Sequence, residues 1–406
     1  MSSRLSKRAT ALSPSPTLAL DARAKEMQKQ GIDVVNFGIG EPDFDTPAHI
    51  KESGIQAIQE GFTKYTPAAG IPELKEAVCK KLKEDNGLDY EPAQVVVSVG
   101  AKHAIYNAVQ ALCDDGDEVI VPAPYWVSYT EIVKLSGGKP VEVVTSEASG
   151  FKMTAAQLEA AVTPKTRMLI LNSPSNPTGA VYDEAELRAL GEVCAKHGIY
   201  IISDEIYEKL VYGGTKHVSV ASFDKTLKDL TVVINGVSKA FAMTGWRIGY
   251  AAAAKDIAKA MGDFQSQVTS NPASMAQKAA VSALLGPKEP VFAMVKAFEK
   301  RRDFVVKRLN SMKGVKCYTP GGAFYVYPNL SSYIGKRAGG CTCCGGTLMK
   351  DSAALADLIL QEARVAVVPG TAFGMDGYVR ISYATSMENL EKGLDRIETF
   401  LKGIKG

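Results

Sequence analysis

The chain has 406 residues, 46% of them hydrophobic, with 47 Lys and Arg against 44 Asp and Glu for a formal net charge of +3. That length and apolar fraction suffice for a large core and more than one domain. The balanced charge offers no footprint for nucleic acid, and no apolar run approaches the roughly 18 residues that a membrane span needs.

Residues 1–12 are rich in Ser, Arg and Lys, and no acidic residue precedes Asp21. An ordinary N-terminal arm of a cytoplasmic protein is expected. The alternative is the tail of a trimmed targeting segment, which would place the protein in the plastid stroma. Further on, Val95-Val96-Val97-Ser98-Val99 and then Gly100-Ala101-Lys102-His103-Ala104 predict a strand, a glycine turn and a helix start. Backbone N–H groups at a helix start form a ready anion cradle, although α/β proteins contain many such junctions. Val119-Ile120-Val121-Pro122 leads to Pro124-Tyr125-Trp126, where an indole just past a strand end either stacks on a planar ring or packs in the core.

Met168-Leu169-Ile170-Leu171 reads as a buried strand running into Asn172-Ser173-Pro174-Ser175-Asn176-Pro177-Thr178-Gly179. Two prolines and a glycine make this a stiff turn that either presents the Asn176 amide in a fixed pose or simply connects two elements. Tyr200-Ile201-Ile202-Ser203 is a β-branched strand ending in Asp204-Glu205-Ile206-Tyr207. A carboxylate there is suited to a protonated ring nitrogen, or else caps a helix. After the strand Val232-Val233-Ile234 come Ser238-Lys239 and, eight residues beyond the lysine, Arg247, with Gly245 between them to let backbone approach a ligand. A lysine in a partly desolvated turn loses some preference for its charged form and offers a free amine to an aldehyde.

Taken together, these segments resemble the fold-type I, class I aminotransferases. The similarity runs from Gly40-Glu41-Pro42-Asp43-Phe44 to Tyr378-Val379-Arg380-Ile381-Ser382-Tyr383, and five motifs keep their order. The spacing agrees as well, with 28 residues from Asn176 to Asp204 and 35 from Asp204 to Lys239. The resemblance implies an α/β fold with pyridoxal 5'-phosphate as cofactor. Lys239 is then the Schiff-base lysine and proton shuttle, Asp204 the pyridinium partner, Tyr207 and Asn176 the ligands of the phenolic oxygen, and Trp126 the stacking ring. It implies a phosphate site of Arg247, Ser238 and the Gly100-Ala101-Lys102 turn, completed by Tyr65 of a neighbouring subunit in a homodimer with shared sites. Arg380 resembles the arginine that grips the substrate α-carboxylate through a bidentate fork, and Gly40 the glycine whose backbone lies against the substrate. No metal is implied.

Strands alternating with helices over about 94–255 point to a mostly parallel sheet. The C-terminal third reads differently, with Phe324-Tyr325-Val326-Tyr327, Val365-Ala366-Val367-Val368 and a last helix near Ser386–Lys402. By resemblance, residues 48–296 form a large cofactor-binding domain, while 1–47 and 297–406 join in a smaller α+β domain from both termini. Seven cysteines without paired spacing suggest reduced thiols. Cys341, Cys343 and Cys344 fall in a glycine-rich stretch that reads as a surface loop rather than a metal site.

Lys102 bears on which amino acid is used. In the aspartate aminotransferase branch that this chain resembles, a lysine after the phosphate-turn glycine neutralises the distal carboxylate, helped by Thr and Ser near the N-terminus. Lys102, Thr17 and Ser15 fall at the matching places. The other branch uses an arginine of the partner subunit, and residues 271–285 contain none. The plainer reading leaves Lys102 as a cation beside the phosphate. The same Lys and Thr also mark a bifunctional variant that accepts prephenate and makes arogenate. Transamination of neutral or aromatic amino acids, other chemistry on the same scaffold, and a non-catalytic regulator are the remaining alternatives.

Overall fold

The computed structural model describes residues 5–338 and 346–404. Its centre is a seven-stranded sheet made of β1 (Val95–Ser98), β2 (Glu118–Ala123), β3 (Lys139–Val144), β4 (Thr166–Asn172), β5 (Tyr200–Asp204), β6 (Thr231–Gly236) and β7 (Gly249–Ala252). The spatial order is β1-β7-β6-β5-β4-β2-β3, and only β7 runs against its neighbours. The Val- and Ile-rich composition follows from burial on both faces, as a sheet covered by crossover helices requires. Alternate residues enter different cores. Ile170, Ile202 and Ile234 pack on one face, while Leu169, Leu171 and Ile201 pack on the other.

Register aligns the working ends of these strands. Asn172 of β4 sits beside Asp204 of β5, and Asp204 beside Ile234 of β6. β4 and β5 therefore finish side by side and β6 runs on to Gly236, and the turns that follow carry Asn176, Tyr207 and Lys239 to one place. That place lies outside the carboxyl ends of the strands, where open α/β sheets bind ligands.

A second, antiparallel sheet is built from the C-terminal residues: β8 (Tyr325–Val326), β9 (Val368–Pro369) and β10 (Val379–Ser382), in the order β9-β10-β8. The run Val365–Val368 is not one strand. Val365–Ala366 pairs in parallel with Val35–Asn36, and after Val367 the chain changes partner so that Val368 lies opposite Arg380 of β10. This switch joins the start of the chain to its end. The last helix is Met387–Lys402, with the Ser386 side chain accepting from the Asn389 amide at 3.2 Å. Cys79, Cys113, Cys194 and Cys317 are free thiols. Cys341, Cys343 and Cys344 lie outside the described residues. No helix among the described residues is long and apolar enough to cross a membrane.

The reversed strand β7 sets the helix Ala101–Leu112, because a methyl group on Gly249 would run into the backbone of Gly100 and Ala101. The neighbours there are backbone and cannot yield as a flexible side chain can. Gly249→Ala is therefore expected to lower stability by about 2 kcal/mol, read as a fall in the denaturant midpoint. An unchanged midpoint would mean that the helix start is free to shift.

Candidate active site

The ends of β4, β5 and β6 open into a cavity of about 390 Å³. Lys239, partly buried, lies three residues beyond β6 and donates from Nζ to the Gly40 carbonyl at 2.6 Å. Burial pulls its amine down to about 8, against the charge of Glu41, which pulls the other way. Arg380 and Arg247 add to the lowering. A substantial share of the neutral amine is thus present at mildly alkaline pH.

Asp204 is the last residue of β5 and is buried. It begins a turn rather than a helix, so it is not a helix cap. Its carboxylate accepts from the Tyr129 hydroxyl at 2.6 Å and from the Ile206 amide at 3.3 Å. Burial raises it to about 6, and those two hydrogen bonds oppose the rise. Tyr207 shares a 2.9 Å hydrogen bond with Tyr325. The turn after β4 is held by its own first residue, since Asn172 Oδ1 accepts from the Asn176 amide at 2.8 Å. Two cis X-Pro bonds, Ser173-Pro174 and Asn176-Pro177, shape it. Arg380 on β10 is 2% exposed and flanked by the Tyr325 and Phe373 rings at 4.5 and 5.2 Å. It donates from Nη1 to Asn176 Oδ1 at 2.9 Å and from Nη2 to the Gly38 carbonyl at 2.7 Å. The Asn176 Nδ2 has no protein partner among the described residues.

Arg247 stands at the rim, in a left-handed backbone conformation with φ 57°. Such strain costs about 1 kcal/mol or more and collects at functional sites. A Cβ at Gly100, itself at φ 82°, would lie 2.5 Å from the Arg247 Nη2, so the bare glycine lets the guanidinium reach the helix start at Ala101. Lys102 lines the same region with Nζ 5.0 Å from the Trp126 ring centroid. Burial and then Arg247 lower its amine from the ordinary lysine value. Among the described residues Lys102 makes no ion pair.

The cavity brings together most of the residues expected to act. Ala101, Lys102, Trp126 and Asn176 line it, as do Asp204, Tyr207, Ser238, Lys239 and Arg247. Gly40, Thr17 and Arg380 complete that set. Gly100 and Ser15 do not line it, and Ser15 bonds Thr17, Oγ to Oγ1, at 2.9 Å. Gly245 faces open space, with nothing within 4 Å of an added Cβ, and does not line the cavity. Tyr65 is 91% exposed and outside the cavity of its own chain. Sequence reasoning missed Tyr129, Tyr325, Asn172, and the pair in which Thr244 donates to Glu41 at 2.7 Å. Tyr129 is 75 residues from Asp204, and no local pattern signals that contact.

The donor set fits pyridoxal phosphate. A guanidinium, a hydroxyl and a helix N-terminus suit a phosphate. A buried carboxylate with no ion pair among the described residues suits a protonated ring nitrogen, and a partly buried primary amine suits an aldehyde.

Asp204 has a consequence for stability. Its folded value, about 6, lies above the ordinary 3.8, so ionising it costs stability as pH rises through that window. Above the window the cost is constant at roughly 3 kcal/mol. Asp204→Asn should therefore raise the stability of the cofactor-free protein at about pH 8. The gain should fade below about pH 4, measured as denaturant midpoints across pH. A gain independent of pH would show that burial of the charge is not its source.

The model of the family described as Aminotransferase class I and II matches residues 32–397. The chain is 54% identical over 399 residues to the aspartate aminotransferase of Geobacillus stearothermophilus, covering 98% of this chain and 99% of that one. It is 52% identical over 392 residues to the aspartate/prephenate aminotransferase of Cereibacter sphaeroides, covering 96% and 97%. Its fold superposes on the crystal structure of the aspartate aminotransferase from Rhizobium meliloti with a TM-score of 0.95 at 44% identity, covering 99% of this chain and 100% of that one. With a family match over most of its length, and relatives more than half identical almost from end to end, the chain belongs to the class I and II aminotransferases.

Proposed function

We propose that the chain is an aspartate aminotransferase, moving the amino group of L-aspartate to 2-oxoglutarate in two half-reactions and giving oxaloacetate and L-glutamate. The observation that carries this reading is the cavity cation Lys102, which has no ion pair among the described residues and lines the cavity together with Thr17 and Arg380. A four- or five-carbon dicarboxylate needs a cation for each carboxylate, and a monocarboxylate needs one.

Pyridoxal phosphate, when bound, supplies an aldehyde that carries the amino group and a protonated ring that stabilises charge developing at the substrate α-carbon. Arg247, Ser238 and the Gly100–Lys102 turn would hold its phosphate, Asp204 its ring nitrogen, Tyr207 and Asn176 its phenolic oxygen, and Trp126 its face. Arg380, tied on both sides to Asn176 and Gly38, receives the substrate α-carboxylate without having to search for its rotamer. Lys239 removes the proton from the substrate α-carbon. Its lowered affinity for protons keeps that amine available. Gly40, the present hydrogen-bond partner of Lys239, gives way when the amine turns to substrate.

The same reading makes the active unit a homodimer. Tyr65, exposed and outside its own cavity, would complete the phosphate site of the partner. It also divides the chain into a large unit, 48–296, and a small one, 1–47 with 297–406. The second boundary falls within the continuous helix Glu289–Ser311. A second substrate, prephenate, is favoured by the Cereibacter sphaeroides relative and by the presence of Thr17 and Lys102 in the lining of one cavity.

Removing one partner of a partly buried charge contact costs roughly 2–5 kcal/mol. Lys102→Ala should thus cut kcat/KM for aspartate by about 30-fold or more while sparing alanine. A half-reaction panel with aspartate, glutamate, alanine, tyrosine and arogenate checks this. Equal losses for all donors would assign Lys102 to the phosphate. Loss of arogenate together with aspartate would establish the bifunctional enzyme, and preference for tyrosine or alanine would favour a neutral or aromatic substrate.

A further inference from the structure

The turn after β5 carries four functional groups in two pairs. Glu208 N–H bonds the Glu205 carbonyl at 2.9 Å and Leu210 N–H bonds that of Tyr207 at 2.8 Å, so residues three apart share a side. Asp204 and Tyr207 face the cavity. Glu205 and Glu208 do not line it and enter a buried polar cluster behind the turn. There Glu205 accepts from the Ser203 hydroxyl at 2.8 Å, the Ser219 hydroxyl at 2.6 Å and His217 Nε2 at 3.1 Å. Glu208 is ion-paired with Lys81 and accepts from Asn86 Nδ2 at 3.0 Å. Lys81 and Asn86 belong to the helix Pro72–Asn86, whereas His217 and Ser219 belong to the segment after the turn.

Glu205, Glu208 and His217 bring ligand atoms within 4.8 Å of one another, as a metal site would. Glu208 is already paired with the Lys81 ammonium and Glu205 with the His217 imidazole, however, so the two carboxylates are matched by protein groups. Burial works most strongly against the charge on His217, but Glu205 and Glu208 together outweigh it and raise the imidazole. Burial likewise works against a charged Glu208, yet Lys81 and His217 hold it down at about 2.

We propose that His217 and Lys81, acting through Glu205 and Glu208, are positioning residues that lock the turn from behind and so fix Asp204 and Tyr207 in the cavity. None of the four touches the cavity. Each anchors the residue next to a cofactor ligand, on the opposite side of the same turn. The inference rests on the reading of Asp204 and Tyr207 as ligands of pyridoxal phosphate.

His217 Nδ1 has no partner among the described residues, so Nε2 alone anchors Glu205, and a neutral donor in its place restores that anchor though not the charge. His217→Gln can do so and His217→Ala cannot. In the alanine variant, affinity for pyridoxal phosphate by absorbance titration and kcat should each fall about tenfold or more. KM for aspartate should stay within about threefold, since Lys102 and Arg380 sit on other elements. The bound cofactor's absorption band should shift, and the glutamine variant should recover all three properties to within about threefold. Ser219→Ala, which removes one donor to Glu205, should weaken cofactor binding about threefold if His217→Ala does not fold.

A lower melting temperature with cofactor affinity, kcat and spectrum unchanged would overturn the proposal. So would equal impairment of the glutamine and alanine variants. Asp204→Ala separates this failure from that of the underlying reading. If it leaves cofactor affinity and spectrum untouched, Asp204 is not a ligand. If it moves them and neither His217→Ala nor Ser219→Ala does, only the positioning role falls.

Discussion

The arrangement depends on removing the Lys239 amine and the Asp204 carboxylate from water without letting them pair with each other. Burial is the largest influence on both, lowering the lysine to about 8 and raising the aspartate to about 6. The nearest partners in the structure are neutral, a backbone carbonyl for Lys239 and a tyrosine hydroxyl for Asp204. Such groups destabilise a fold, and they persist only where the surroundings over-determine them. The strand ends supply that constraint. β4 and β5 finish in register beside the longer β6, and the turns after β4 and β5 are tied by Asn172, Tyr129 and the cluster around Glu205.

Both ends of the chain close on this centre. Gly38 and Gly40, from the N-terminal stretch, present carbonyls to Arg380 and Lys239. Arg380 arrives on β10, and the N-terminal strand Val35–Asn36 is held against the C-terminal Val365–Ala366. The small sheet thereby carries Arg380 to the cavity while the large sheet carries Lys239 to it. A shift between the two changes the distance that substrate must bridge. The 390 Å³ cavity lies where these pieces meet.

Much of this was legible in the sequence because the site sits at the ends of apolar runs. Val232-Val233-Ile234, Tyr200-Ile201-Ile202 and Met168-Leu169-Ile170-Leu171 are strands, and a short turn after each leaves little freedom in where Lys239, Asp204 and Asn176 point. Contacts distant in sequence were not legible. Tyr129 with Asp204, Tyr325 with Tyr207, and Gly38 with Arg380 are set by the way the sheets stack, which leaves no trace in local periodicity. The split of Val365–Val368 between two sheets was hidden for a related reason, since a uniform apolar run carries no mark of where a strand changes partner. Ser15, Gly100 and Gly245 stand outside the cavity lining, Ser15 hydrogen-bonded to Thr17, Gly100 behind the Arg247 guanidinium and Gly245 in open space.

The central claim is that the desolvated amine of Lys239 takes the α-proton of a dicarboxylic amino acid. The most direct test follows the loss of deuterium from α-deuterated aspartate to solvent, with no keto acid present. It compares the wild-type protein with Lys239→Ala, each loaded with pyridoxal phosphate. The wild type should exchange readily, and Lys239→Ala should bind cofactor yet exchange at least about 1,000-fold more slowly. Exchange in the variant within about tenfold of wild type would place the proton transfer elsewhere and contradict the account.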